Sequence, residues 1–345
     1  MSAAPQDLRV AERLFQRCCV EGLIIPDDVE EICSKIRFLL DEAVKNNLAE
    51  GILLSGGLDT SILAVIASKF TSLKAFTVAF QNSPAPDVKY AALMANRLGL
   101  KHVIHTFGEE ELYDAMPVVV KTLKSFDPME IRNSVAIYVG LKAAKEDGVS
   151  TVMTGDGCDE LFAGYSFLFG YEKEKLDLEL KKLWSVMAFS SVPLAKVLGI
   201  EAKLPYLDPD FKDFAMKLDS KYKIRRENGR IYGKWILRKA FEGVLPKEIT
   251  WRAKTPIEYG SGTTVLQNLF NSKISDEEFD RKRRKYLSED GVTIRNKEQL
   301  FYYEVYRAVV GVPHPARRGG KICPYCHSSV PENATYCRTC GAYPI

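Results

Sequence analysis

Short apolar runs and amphipathic stretches take turns from residue 51 to residue 153, and that rhythm confines the chain to a layered α/β fold. GILL (51–54), KAFTVAF (74–80), KHVIHTF (101–107) and STVM (150–153) read as strands. Between them LDTSILAVIASKF, PDVKYAALMANRLG, EEELYDAMPVVVKTL and SVAIYVGLKAAKE read as helices. Gly99 stands just past the second of these helices, a usual place for a helix to stop. The alternation predicts the α/β class, with a doubly wound, mostly parallel sheet and ligands beyond the carboxyl ends of its strands.

Around this core the patterns differ. Residues 1–48 predict two helices, VAERLFQRCCVEGLI and DDVEEICSKIRFLLDEAVKNN, broken at Pro26 and Asp27. After about residue 165 strand signals fade and helices dominate to roughly 310. DEEFDRKRRKYLSEDG (276–291) predicts a solvated helix and connector, with its RKRRK cluster as an RNA-contacting alternative. PHPARRGG (313–320) reads as a linker. The expected divisions are a helical extension at 1–29, a main domain at 30–275, a charged connector at 276–320 and a small terminal unit at 321–345. A formal net charge of +3 is too small to argue for nucleic acid on its own. With no membrane-length apolar run and no leader pattern, a soluble cytoplasmic protein is expected. Cys18, Cys19, Cys33 and Cys158 are scattered and read as reduced thiols.

Two loops carry candidate chemistry. In GILLSGGLDTS (51–61), Ser55, Gly56 and Gly57 turn a strand into a helix. Glycines there permit a tight turn and bring backbone N–H groups close to a ligand, and the helix start adds free donors and a positive dipole end. The combination suits a phosphate. The GxxxxGK[ST] pattern of the common triphosphate loop is absent, and Asp59 occupies the first helical turn instead. A carboxylate beside a phosphate implies Mg²⁺ between them. The plainer alternative is that Asp59 or Ser55 caps the helix. The second stretch, TGDGCDELFAGY (154–165), sets Asp156, Asp159 and Glu160 among glycines after an apolar run. By itself it is either an acidic turn or one wall of a metal–nucleotide site.

SGGLDTS resembles the pyrophosphate loop of the ATP pyrophosphatases, which cleave ATP between the α and β phosphates. TGDGCDELFAGY resembles the second signature of the synthetase domain of asparagine synthetases, where relatives read SGEGxDExFxGY. LGIEAKLPYLDPDFKDFAM (198–216), GKWILRKAF (233–241) and LPKEITWRAKTP (245–256) follow in the family's order. The resemblance spans roughly residues 30–265. It implies an adenine-nucleotide α-hydrolase-like fold and an ATP-dependent ligase of amino-acid biosynthesis that forms C–N bonds.

By the same resemblance, Asp59 and Asp159 would hold Mg²⁺ on the ATP phosphates, and Ser55, Gly56, Gly57, Asp59, Thr60 and Ser61 would cradle pyrophosphate. Leu53, Val78 and Gly155 match positions that hold base and ribose mostly by backbone, and Thr154 replaces a usual serine. Lys254 matches the lysine that contacts the phosphates during adenylation, and Lys234 is a second candidate. The reaction implied activates a small carboxylate, aspartate or similar, as an acyl-adenylate that ammonia or an amine then attacks. Asp156 departs from a usual glutamate that faces the substrate's amino group, and TPIEYGSG replaces a motif closer to EQFSDGVG. Only about 50 residues precede the ATP loop and Ser2 follows Met1, so no glutaminase is expected in the chain. Free ammonium, an amine or a separate glutaminase subunit would supply nitrogen.

Cys323-x₂-Cys326-x₁₀-Cys337-x₂-Cys340 has zinc-ribbon spacing: two knuckles supply four thiolates to a structural Zn²⁺. So short a unit needs the metal to fold. Its partner, protein or RNA, is open. Two competing functions remain: a tRNA-thiolating type of enzyme, since that group also combines the ATP loop with CxxC units, and a non-catalytic nucleotide-binding protein.

Overall fold

The computed structural model describes residues 27–227, 229–315 and 320–345. The helix expected at VAERLFQRCCVEGLI, with Cys18, Cys19 and Pro26, lies outside the described residues, as do positions 316–319 of the linker. The chain divides into two compact units. One holds the described residues up to Asn46 with Asp156–Met187 and Pro205–Trp251; the other holds Asn47–Gly155, Ala188–Leu204 and Arg252–Ile345.

The larger unit is built on five parallel strands, β1 (Gly51–Leu53), β2 (Lys74–Phe80), β3 (Lys101–Phe107), β4 (Thr151–Met153) and β5 (Glu201–Lys203), in the order β3-β2-β1-β4-β5. β2 and β3 pair over their full length, from Lys74 opposite Lys101 to Phe80 opposite Phe107. Two devices set the crossover helix Pro128–Glu146 in place. Asp127 accepts from the Met129 and Glu130 N–H groups, and Pro128 opens the helix where a missing donor costs nothing. Further along, Gly140 lets that helix close on the sheet, since a Cβ there would lie 3.0 Å from Leu53 Cδ2 and 3.3 Å from Val78 Cγ1. The helix Asp87–Leu98 stops at Gly99, which is left-handed at φ 64°. Helices Glu109–Leu123 and Lys297–Val309 complete a core in which Phe107, Phe126, Val139, Tyr302 and Tyr303 are buried.

β5 corrects the expectation that strands end with β4. It is three residues long and more open than its neighbours, so it shows no alternation to read. The charged stretch forms the helix Asp276–Asp290, with only Tyr286 buried. Within RKRRK, Lys282 pairs with Glu278 at 2.8 Å and Glu304 at 2.9 Å, and Arg283 pairs with Asp280 at 2.8 Å.

In the smaller unit the helix Val29–Asn46 buries Ile32, Ile36 and Leu40 on one stripe. That stripe covers the helices Trp235–Ala240 and Pro209–Lys217, and Arg37 Nη1 donates to Ala240 O at 2.9 Å. An antiparallel hairpin, Arg225–Glu227 with Arg230–Tyr232, is a second set of strands not expected from the sequence. No helix among the described residues is long and apolar enough to cross a membrane.

Candidate functional site

β1 lies between β2 and β4, so the strand order reverses at the β1–β4 pair. Open α/β sheets bind ligands at such a reversal. Both loops singled out in the sequence emerge there, one from each strand.

After β1, Leu54 N–H still bonds Phe76 O at 2.8 Å, and Ser55 then turns the chain away. Ser55 Oγ accepts from Gly57 N–H at 3.2 Å, and Thr60 Oγ1 accepts from Ser55 N–H at 3.2 Å. These bonds fix the loop without spending a side chain on the helix start. Gly57 is the N-cap of the helix Leu58–Ala67, and no side-chain cap closes it. The capping alternative therefore does not describe this helix. Ser61 Oγ is buried without a hydrogen-bond partner among the described residues.

The two glycines serve different ends. Gly56 is left-handed at φ 64°, and a Cβ there would run into the Tyr90–Ala91 backbone, with Tyr90 Cβ only 2.6 Å away. Its reason is packing against the helix Asp87–Leu98. Gly57 has φ −75°, which any residue adopts, and a Cβ there would meet only Ser55 Oγ at 3.2 Å. Nothing in the fold requires glycine at 57. A bare backbone at that point is what an approaching ligand requires. Gly155, after β4, presses on the same helix start: a Cβ would lie 3.2 Å from both Asp59 Cβ and Thr60 Cγ2. Thr154 is buried, and its N–H bonds Lys203 O at 3.0 Å. Leu53 and Val78 turn their side chains to Gly140.

An arginine that sequence reasoning passed over clasps this loop. Arg252 donates from Nη1 to Ser55 O at 3.3 Å and from Nη2 to Asp87 Oδ1 at 2.7 Å, and its guanidinium lies 3.9 Å from the centre of the Tyr90 ring. Asp87 is buried; burial raises its pKa, and Arg252 opposes the rise. Gly260 is required beside it, because a Cβ there would lie 2.7 Å from Asp87 Oδ1. Lys254, two residues beyond Arg252, is exposed, and its charge acts on Asp87. Arg252 stands inside the quoted block WRAKTP, but no spacing there distinguishes it from a surface cation.

In the smaller unit Asp159 pairs with Lys234, Nζ to Oδ1 at 2.7 Å, with both side chains largely hidden. Lys234 is therefore not a solvated helix cation. It sits at φ 57° as the N-cap of Trp235–Ala240, and its N–H bonds Phe162 O at 2.9 Å. Gly164 makes room for the pair: a Cβ would lie 2.8 Å from Asp159 Cγ and would overlap Lys234. Glu160 accepts from the Tyr165 hydroxyl at 2.6 Å, Trp184 Nε1 donates to its carbonyl at 2.9 Å, and burial raises its carboxyl pKa. Asp156 is half-buried, and Cys158 is buried as a packing residue.

The four terminal cysteine sulfurs lie within 4.8 Å of one another. Both knuckles repeat one geometry. His327 and Gly341, each directly after the second cysteine of a pair, are left-handed at φ 61° and 72°. Their N–H groups bond Cys323 O at 3.0 Å and Cys337 O at 2.7 Å.

A parallel sheet whose ligand end is marked by two adjacent loops at the strand-order reversal defines a doubly wound α/β protein. A family model described as asparagine synthase matches residues 35–192 and 176–316. The chain belongs to the asparagine synthase family. It is 30% identical over 311 residues to asparagine synthetase B (glutamine-hydrolysing) of Escherichia coli strain K12, covering 82% of this chain and 55% of that protein. It is 31% identical over 329 residues to asparagine synthetase (glutamine-hydrolysing) 1 of Saccharomyces cerevisiae, covering 78% and 56%. The chain thus spans about half the length of the curated relatives it matches. Among solved structures, NMN synthetase from Francisella tularensis is similar at 16% identity and a TM-score of 0.38, covering 82% of this chain and 94% of that one. That likeness is too slight to carry an argument.

Proposed function

We infer that the chain is an ATP-dependent, AMP- and pyrophosphate-forming amide synthetase. The supporting observation is the loop at 55–57: an uncapped helix start at the strand-order reversal, with a glycine at 57 that the fold itself does not need. The positive dipole end of that helix suits a departing pyrophosphate.

A substrate carboxylate oxygen attacks the α-phosphorus of ATP and pyrophosphate leaves; an amine nitrogen then attacks the acyl carbon and AMP leaves with the bonding pair. Ser55, Gly56, Gly57, Thr60 and Ser61 hold the pyrophosphate. Asp59 and Asp159 are hard oxygen donors of the kind Mg²⁺ takes, and the ion would neutralise phosphate charge. Lys254 stabilises charge on the phosphates during adenylation. Lys234 orients Asp159 through their buried pair. Asp156, in place of a longer glutamate, faces the amino group of the substrate or the incoming amine. Aspartate with ammonium is the first pair to try. Zinc fits the cysteine set, because soft thiolates in a closed tetrahedral shell suit it.

Pyrophosphate release measured with a panel of carboxylates, ATP, magnesium and ammonium tests the reading. Turnover that depends on one carboxylate and collapses in Asp59→Asn is expected. Pyrophosphate release dependent on tRNA, with a steep salt dependence, would transfer the reading to the tRNA-modifying class. No release with any acceptor, alongside intact ATP binding, would leave a nucleotide-binding protein.

A further inference from the structure

The terminal ribbon is wired into the larger unit. Cys323 and Cys340 Sγ lie 3.7 Å apart, as do Cys326 and Cys337 Sγ. A tetrahedron with metal–sulfur bonds of about 2.3 Å has edges of about 3.8 Å. All four cysteines are buried in the same core as Phe126, Tyr303 and Tyr306. The second knuckle offers its carbonyls inward: Cys340 O accepts from Arg295 Nη2 at 2.6 Å and Gln299 Nε2 at 2.8 Å. Thr339 O accepts from Phe126 N–H at 2.7 Å, and Arg338 O from Ser125 Oγ at 2.8 Å.

Those bonds lead to Asp127. Its carboxylate accepts from the Tyr336 hydroxyl, and also from Met129 and Glu130 N–H at 3.3 Å, which caps the helix Pro128–Glu146. Gly341 is required against it, since a Cβ would lie 2.5 Å from Asp127 Cγ. One turn into the helix, Arg132 O accepts from Thr263 Oγ1 at 3.2 Å and Asn133 Oδ1 accepts from Glu258 N–H at 3.0 Å. Arg132 itself is anchored to the buried Glu298 at 2.8 Å. The first turns of this helix are thus gripped by the knuckle and in turn grip residues 258–263. That stretch begins four residues after Lys254. Its Ser261 O also accepts from Phe80 N–H at 2.8 Å, at the end of β2.

We propose that the zinc ribbon is a positioning element for the segment that carries Lys254, with Asp127 and Tyr336 as the coupling residues. Metal in the knuckles fixes the Cys340 and Thr339 carbonyls and the Tyr336 hydroxyl. These fix the helix start, and the helix start fixes 258–263. A ribbon that only docked a partner would have no need of these bonds, and its loss would leave the helix unchanged. The proposal rests on Lys254 acting at the phosphates, as read above; the coupling itself does not.

The test is hydrogen exchange on the full chain, read at residues 128–134 and 257–263, with the helix Leu58–Ala67 as internal reference. Chelation of zinc is expected to raise exchange at both stretches and to leave the reference unchanged. Tyr336→Phe removes one bond to a charged acceptor while every cysteine stays. It is expected to retain one zinc per chain, raise exchange at both stretches about tenfold, and lower kcat for pyrophosphate release while KM for ATP holds. Unchanged exchange at 257–263 in both experiments overturns the proposal, whatever the activity. If the wild-type chain releases no pyrophosphate, the functional reading falls instead, and the exchange result still decides the coupling.

Discussion

Three alanine substitutions separate what the glycines of this protein do. Gly56 and Gly99 share a φ of 64°, so an L-residue at either bears the same backbone strain, about 1 kcal/mol. They differ in surroundings. A Cβ at Gly99 meets nothing within 4 Å, whereas one at Gly56 overlaps the Tyr90–Ala91 backbone. Backbone cannot swing aside as a side chain can, so Gly56→Ala adds an overpacking cost of about 2 kcal/mol. The expected losses in urea denaturation are about 1 kcal/mol for Gly99→Ala and about 3 kcal/mol for Gly56→Ala. Gly57→Ala is the third arm. Its φ of −75° carries no strain, and the one close neighbour of a Cβ, Ser55 Oγ at 3.2 Å, is a side-chain atom, which holds the expected change to about 0.5 kcal/mol. If the bare backbone at 57 exists for a ligand, the same variant loses ATP affinity, read by equilibrium titration. Equal costs for Gly56→Ala and Gly99→Ala would refute the packing argument. Full ATP affinity in Gly57→Ala would refute the assignment of the loop to phosphate.

Gly164→Ala should break the buried Asp159–Lys234 pair and cost about 3 kcal/mol in denaturation, whereas Gly170→Ala, with nothing within 4 Å of its Cβ, should be near neutral. Arg252→Met strands a buried Asp87 carboxylate and is expected to cost about 3 kcal/mol; adding Asp87→Asn should restore much of the loss, and a double-mutant cycle showing simple additivity would argue against the clasp. Lys223 is fully buried, donates to Ala215 O at 2.7 Å, and is pushed by burial down to about 7 from 10.5. Between those values the unfolded chain binds a proton that the folded one does not, so stability should rise with pH by at most about 1.4 kcal/mol per unit. Lys223→Met should flatten that slope in urea midpoints measured from pH 7 to 10.

The strands legible in the sequence are those written as apolar runs, the three-residue β1 and β4 included. β2 and β3, seven residues each, are readable to the residue because branched and aromatic side chains (Phe76, Thr77, Val78 and Phe80; Val103, Ile104, Thr106 and Phe107) dominate them. β5 and the 225–232 hairpin are no shorter than β1 and β4 but read EAK, RRE and RIY, without an apolar run, and exist because a neighbouring strand supplies their bonds. The same limit applies to the site. SGGLDTS is local and readable, since its bonds join residues at most five apart. The Arg252 clasp joins residues 165 and 197 apart, and nothing in the spelling of WRAKTP announces it. Lys234 stands near two other cations, Arg238 and Lys239, in its block, and only packing shows that it is the one aimed at Asp159.

The smaller unit is assembled from stretches far apart in the chain, and that bears on how the protein is made. The bond from Arg37 to Ala240 spans 203 residues. A ribosome that has just finished the helix Val29–Asn46 must translate all five strands of the sheet before the cover for Ile32, Ile36 and Leu40 exists. During those seconds, at some 5–20 residues each second, a greasy stripe waits in the open. Nascent chains halted short of Trp235 should therefore be strong chaperone clients, and those halted after Ala240 much weaker ones.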